Sequence, residues 1–169
     1  MTNSASQIAV KLLESYASSE DFTQHLDRQP LPSTAEIVRV IDVLQELMFP
    51  GFFGTQGLSG ERLLLHVTTQ LSWLQESLSE QIRRGCAHAH KIEEPCAVTD
   101  KEASEIAATF LSKLPQIREI LATDVDAAYI GDPAAMSKDE VVSSYPSLFA
   151  VMTYRLAHEL NKLKVPLVP

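Results

Sequence analysis

At three places in this chain the start of an apolar stripe is preceded by a hydroxyl residue followed three places later by glutamate: Ser33/Glu36, Thr99/Glu102 and Ser137/Glu140. In such a capping box the hydroxyl accepts from a free backbone N–H of the first helical turn. The glutamate reaches back to the N–H of the capping residue. The motif satisfies donors that only a helix start leaves unpaired. Its repetition therefore predicts an all-α chain, a multi-helix bundle.

The stripes agree. Behind Ser33 run Ile37, Ile41, Leu44 and Met48, one face of a helix. A longer series starts at Glu61, with Leu64, Val67, Leu71, Leu74, Leu78 and Ile82. Its steps of three and four resemble a coiled-coil seam and exceed what one small bundle needs. Behind Thr99 come Ile106, Phe110, Leu114, Ile117 and Leu121, with Pro115 expected to kink the helix. Tyr145-Pro146 reads as a boundary, because proline disfavours helix before it and suits a first helical position. The last helix carries Phe149, Met152, Leu156, Leu160 and Leu163 and stops at KVPLVP. A first helix within residues 1–20, bearing Ile8, Leu12 or Leu13 and Tyr16, is ended by the prolines of HLDRQPLPS.

Between these helices two stretches are expected to be loops, and a third stands out by its acidity. FPGFFGTQGLSG, residues 49–60, holds four of the six glycines, and its phenylalanines should tuck onto the helices. GCAHAHKIEEPCAV reads as a polar loop and ATDVDAAYIGDPAAM as a short acidic stretch. No strand alternation, βαβ spacing or internal repeat is present. Trp73, amid the long leucine stripe, reads as core or subunit contact.

Charge narrows the function. Asp and Glu number 22 against 14 Lys and Arg, a formal charge of −8, which disfavours a phosphate backbone as partner. No apolar run approaches the roughly 18–20 residues that cross a bilayer. The first residues carry no basic leader, so a cytoplasmic chain without membrane contact is expected. Two cysteines make no disulfide framework at this length.

Residues 122–168 carry a more specific signal. Asp124 stands eight residues before the aspartate of the GDPAA element at 131–135, SYPSLFA at 144–150 opens the last helix, and Tyr154-Arg155-Leu156-Ala157-His158 follows. Together they resemble the end of the helical region of serine O-acetyltransferases. LMFPGFFG at 47–54 and LSEQIRRG at 78–85 resemble, more loosely, the longer-headed bacterial branch. The resemblance spans about residues 33–169 and divides the chain into an N-terminal helical arm, 1–32, and a serine acetyltransferase helical domain, 33–169.

It implies a helical head preceding a left-handed parallel β-helix of hexapeptide turns, where an aspartate-oriented histidine deprotonates serine for attack on acetyl-CoA. Those residues and the coenzyme A site lie in the β-helix. No hexapeptide repeat occurs here, and His25, His66, His88, His90 and His158 do not match the catalytic position. The resemblance therefore implies no catalytic residue and no cofactor in these residues, acetyl-CoA being co-substrate of the complete enzyme. It implies inactivity of this stretch alone, and self-association, since helical heads join trimers into hexamers in the family. The alternative is a free-standing helical interaction module of the same fold. Whether Pro169 ends the natural chain stays open.

Asp132 is the expected substrate-binding residue. The resemblance gives the aspartate of Asp-Pro-Ala contact with the amino group of serine, or of the feedback inhibitor cysteine, and a carboxylate suits an ammonium. The competing reading is an N-cap for a short turn begun by Pro133, and both can hold together. Asp124 and Asp126 read as solvated helix-start carboxylates, and Arg155 and His158 as structural. Cys86, His88, His90 and Cys96 form the one cluster of metal-ligand types. Their spacing is no standard zinc pattern, so no metal is assigned, and binding by this cluster stays open.

Overall fold

The computed structural model describes residues 4–18, 25–26, 30–89 and 98–169. Among these residues there are seven helices and no strand: α1 (Ala5–Ser18), α2 (Thr34–Met48), α3 (Gly60–Ala89), α4 (Asp100–Leu111), α5 (Leu114–Gly131), α6 (Lys138–Ser144) and α7 (Pro146–Lys162). The chain folds as the all-α bundle its caps predict.

Helix α2 is the hub, packing on α3, α5 and α7. It buries Val40, Leu44 and Met48. Across from these lie Leu74, Leu78 and Ile82 of α3, and Leu148, Met152, Leu156 and Leu160 of α7. Helix α4 packs closely on α3 because its inner face is made of Ala103 and Ala107, fully buried ahead of Phe110. Small side chains at a helix contact let the axes approach. Val165, beyond α7, returns to the core, and the carbonyl of Pro166 lies where a Cβ on Gly85 would stand. Glycine is required there by that close approach.

The three boxes close differently. Thr99 and Glu102 make the reciprocal pair in full. Ser33 accepts from Glu36 N at 3.4 Å, but its own N–H donates to the buried Gln81 of α3 at 2.7 Å, while Glu36 pairs with Arg39. Ser137 accepts from Glu140 N, and Glu140 receives the N–H of Met136 instead of that of Ser137.

Several expectations are corrected. Pro115 does not kink one helix; it separates two, with a turn at Ser112-Lys113. Lacking an N–H, it cannot continue the ladder, and it sits instead in the first turn of α5. Residues 122–131 are not a loose acidic stretch but the second half of α5. Nor is the loop after Ile82 as long as expected: α3 continues through Cys86 and His88 to Ala89, with Cys86 buried. Cys86 completes a buried face with Leu78 and Ile82, and packing there overrides the polarity of the surrounding residues. The core residue at the start of α7 is Leu148, not Phe149. Of the three loop phenylalanines, Phe49 is buried and Phe53 meets it edge-on, whereas Phe52 is exposed.

Residues 4–17, including Ile8, Leu12, Leu13 and Tyr16, are exposed. The long seam of α3 is divided. Leu74, Leu78 and Ile82 are core, while Leu64 is 68% and Leu65 70% exposed. No helix among the described residues is long and apolar enough to cross a membrane.

Candidate functional site

Helix α5 ends where Asp132 leaves the helical region, its N–H donating to Ala128 O. Asp132, Pro133, Ala134 and Ala135 then form a β-turn closed by Ala135 N donating to Asp132 O at 3.1 Å. Aspartate first and proline second are the residues such a turn favours. The Asp132 side chain reinforces it: Oδ1 accepts from Ala134 N at 2.9 Å. The capping role is thus real, but it serves a β-turn, not a helix start.

The other carboxylate oxygen faces a different element. Tyr145, between α6 and α7, donates its phenolic O–H to Asp132 Oδ2 at 2.6 Å. With a donor on each oxygen, Asp132 is held below the usual carboxylate range, the Tyr145 hydroxyl contributing most and the Ala134 amide next. The same bond pushes the Tyr145 phenol up to about 12, with burial and the negative charges of Asp132 and Glu140 acting in the same direction. The result is an anchored, ionised carboxylate at a half-buried position, flanked by the exposed Ile130 and Met136.

Neither neighbouring carboxylate stands at a helix start, as the sequence suggested; both lie within α5, where Asp126 is solvent-exposed and Asp124 partly buried. Asp124 lies within α5 and receives both Nε and Nη2 of Arg155, from α7, at 2.6 Å each. This two-pronged pair holds the Arg155 guanidinium more firmly protonated than usual, the hydrogen bond with Asp124 being the largest cause. Asp126 pairs with Lys138 of α6 at 2.5 Å. His158 stacks on Tyr154, ring centroids 5.9 Å apart, on the surface of α7. Arg155 thus ties α7 to α5.

Sequence reasoning singled out Asp132 and read Tyr145, its partner, only as a helix boundary. Thirteen residues separate the two, and no local pattern links them. Cys86 and His88 stand on α3, whereas His90 and Cys96 lie outside the described residues. Among the described residues no three His, Cys, Asp or Glu side chains gather to hold a metal.

A concavity of about 690 Å³ opens between the end of α2, the glycine loop and the starts of α3 and α5. Leucines 47, 58, 63 and 71 line much of it. At its edge Glu46 Oε1 accepts from Thr55 N at 2.7 Å and lies 2.9 Å from His66 Nε2. A Cβ on Gly54 would overlap the Glu46 carboxylate, so glycine, here at φ +65°, lets the loop wrap that group. Asp132 is not part of this concavity.

Among the described residues the fold is all-helical, and near the α5–α7 junction it holds one aspartate, Asp132, by a donor on each carboxylate oxygen. Comparison with known proteins shows what the chain is similar to. The chain is 37% identical over 161 residues to the plasmid serine acetyltransferase of Synechococcus elongatus, covering 91% of this chain and 50% of that protein. Among solved structures it resembles Entamoeba histolytica serine acetyltransferase isoform 3 in complex with cysteine, with a TM-score of 0.58 and 26% identity over 92% of this chain and 49% of that one. Serine acetyltransferase 1 of the same organism, in complex with L-cysteine, gives 0.58 and 27%, over 94% of this chain and 52% of that one. No protein-family model matches the chain. The chain is homologous to serine acetyltransferases, and it spans about half the length of the relatives it matches.

Proposed function

We propose that this chain is the helical N-terminal domain of a serine O-acetyltransferase of cysteine synthesis, acting in the cytoplasm. In the complete enzyme it serves assembly and lends Asp132 to the site for serine and for inhibitory cysteine. The observation that supports this reading best is the Asp132 carboxylate itself, ionised and held by one donor on each oxygen. Each oxygen keeps a lone pair for an ammonium, the group serine and cysteine share. The homologous Entamoeba histolytica enzymes in complex with cysteine support the same ligand class.

Acetyl transfer then belongs to a β-helix outside these 169 residues, with acetyl-CoA as co-substrate. The 169-residue chain alone should release no coenzyme A from acetyl-CoA and serine above buffer. Release abolished by Asp132→Ala would refute that division of labour. The deciding experiment uses Asp132→Asn in an enzyme that joins this domain to its β-helix. Asparagine keeps the turn but carries no charge. Serine KM and the cysteine inhibition constant should both rise about tenfold to a hundredfold, the loss of a charge-assisted contact, with acetyl-CoA KM unchanged. Unchanged serine and cysteine affinities would leave Asp132 with the turn alone.

Assembly is proposed to use the exposed start of α3. Leu63, Leu64 and Leu65 are consecutive and exposed on a helix whose second half is core. Clustered apolar surface of this kind normally marks a contact.

A further inference from the structure

We propose that Tyr145 is a positioning residue that fixes the plane of the Asp132 carboxylate for an incoming α-amino group and so sets the affinity for amino-acid ligands. This rests on the reading of Asp132 given above.

The first argument is the rigidity of Tyr145 against the looseness of what it holds. Its backbone ends one helix and begins the next: its N–H donates to Val141 O, and its carbonyl accepts from Leu148 N at 3.1 Å. Pro146 follows and restricts the backbone further. The Tyr145 ring packs against the hydrophobic core. Asp132, by contrast, starts the exposed segment between α5 and α6. A carboxylate there, bonded only to an amide of its own turn, would follow every motion of that turn.

The second argument is geometric. Ala134 N–H holds Oδ1 and Tyr145 O–H holds Oδ2, from two separate elements. One donor leaves rotation about Cβ–Cγ free, whereas two on different oxygens define the carboxylate plane. Holding a group in its productive geometry before the ligand arrives raises affinity by removing an ordering cost from binding. The third argument is stoichiometric. A phenol has a single O–H, and Tyr145 gives it to Asp132. Tyr145 therefore acts through Asp132 and has no proton left to donate to the ligand. Tyr145→Phe removes the O–H and retains the packed ring.

The test has two readouts. In the 169-residue chain, carbon-13 NMR of the Asp132 carboxyl should titrate at higher pH in Tyr145→Phe than in the parent, with circular dichroism unchanged; an unmoved midpoint overturns the proposal without any assay of activity. In the enzyme joining this domain to its β-helix, Tyr145→Phe should raise serine KM and the cysteine inhibition constant together, about threefold to tenfold, the range of one lost hydrogen bond. kcat and acetyl-CoA KM should stay put, and Tyr145→Phe should add nothing in an Asp132→Asn background. Affinities equal to the parent, a fall in kcat alone, or effects that multiply with Asp132→Asn would each overturn the role of Tyr145. If Asp132→Asn is impaired and Tyr145→Phe is not, only the positioning role falls. If Asp132→Asn itself binds serine and cysteine normally, the reading of Asp132 fails and carries this one with it.

Discussion

Single residues here draw their roles from partners far along the chain. Asp124 and Asp126 would be unfavourable in the second half of a helix, where the dipole favours cations, and α5 has no basic residue in its last turn. Each is instead neutralised by a cation from another element, Arg155 or Lys138. That pairing is why the helix continues through a stretch whose acidity argues for a loop. Arg155→Lys keeps the charge and loses the two-pronged geometry. It should cost about 1 kcal/mol in urea unfolding, and Arg155→Ala about 2 kcal/mol, because Asp124 then stays partly buried without its partner. Equal stability of Arg155→Lys and the parent would mean that the charge alone matters.

At the scale of elements, the helix starts are not equivalent although their motifs are. Only the box at Thr99 closes in both directions; at Ser33 the backbone N–H turns to Gln81 of α3. Thr99→Ala should therefore destabilise by about 1 kcal/mol, and by more than Ser33→Ala, whose hydroxyl contact is long at 3.4 Å. Glu102 is held below its ordinary pKa, first by the Thr99 backbone N–H and then by the Thr99 hydroxyl. The sign follows from that direction. A depressed carboxyl lends its stabilisation in full above the unfolded pKa, about 4.3, and loses it as the pH falls through the lower folded value. Thermal melts should show the parent losing stability in that acid window and Glu102→Gln losing less; parallel curves would remove the box from the account.

At the scale of the whole molecule, among the described residues, the start of α3 presents an apolar face to solvent. The seam of α3 reads as one continuous stripe, yet the fold buries only its second half and leaves Leu63, Leu64 and Leu65 outside. The last helix, which the sequence makes equally apolar, buries four of its residues and exposes Phe149 and Tyr154. Sedimentation at high concentration should show self-association of the parent, and Leu64→Glu with Leu65→Glu should shift it to monomer while circular dichroism stays the same. A parent that sediments as a monomer would overturn this assembly face.

The sequence by itself determined that the chain is helical and where α2, α4 and α7 begin. Caps and apolar periodicity act within one or two turns, so local residues suffice to specify them. It also marked Asp132, through the resemblance that its Asp-Pro-Ala element carries. Tertiary structure decided the rest: that α5 runs to Gly131, that Cys86 lies in a helix, and that Asp132 meets Tyr145, Asp124 meets Arg155 and Ser33 meets Gln81. These pairs stand 13, 31 and 48 residues apart. Whether two such side chains meet depends on how one helix is rotated and shifted against another. That phase is set by how whole faces interlock in the core, and no local period carries it.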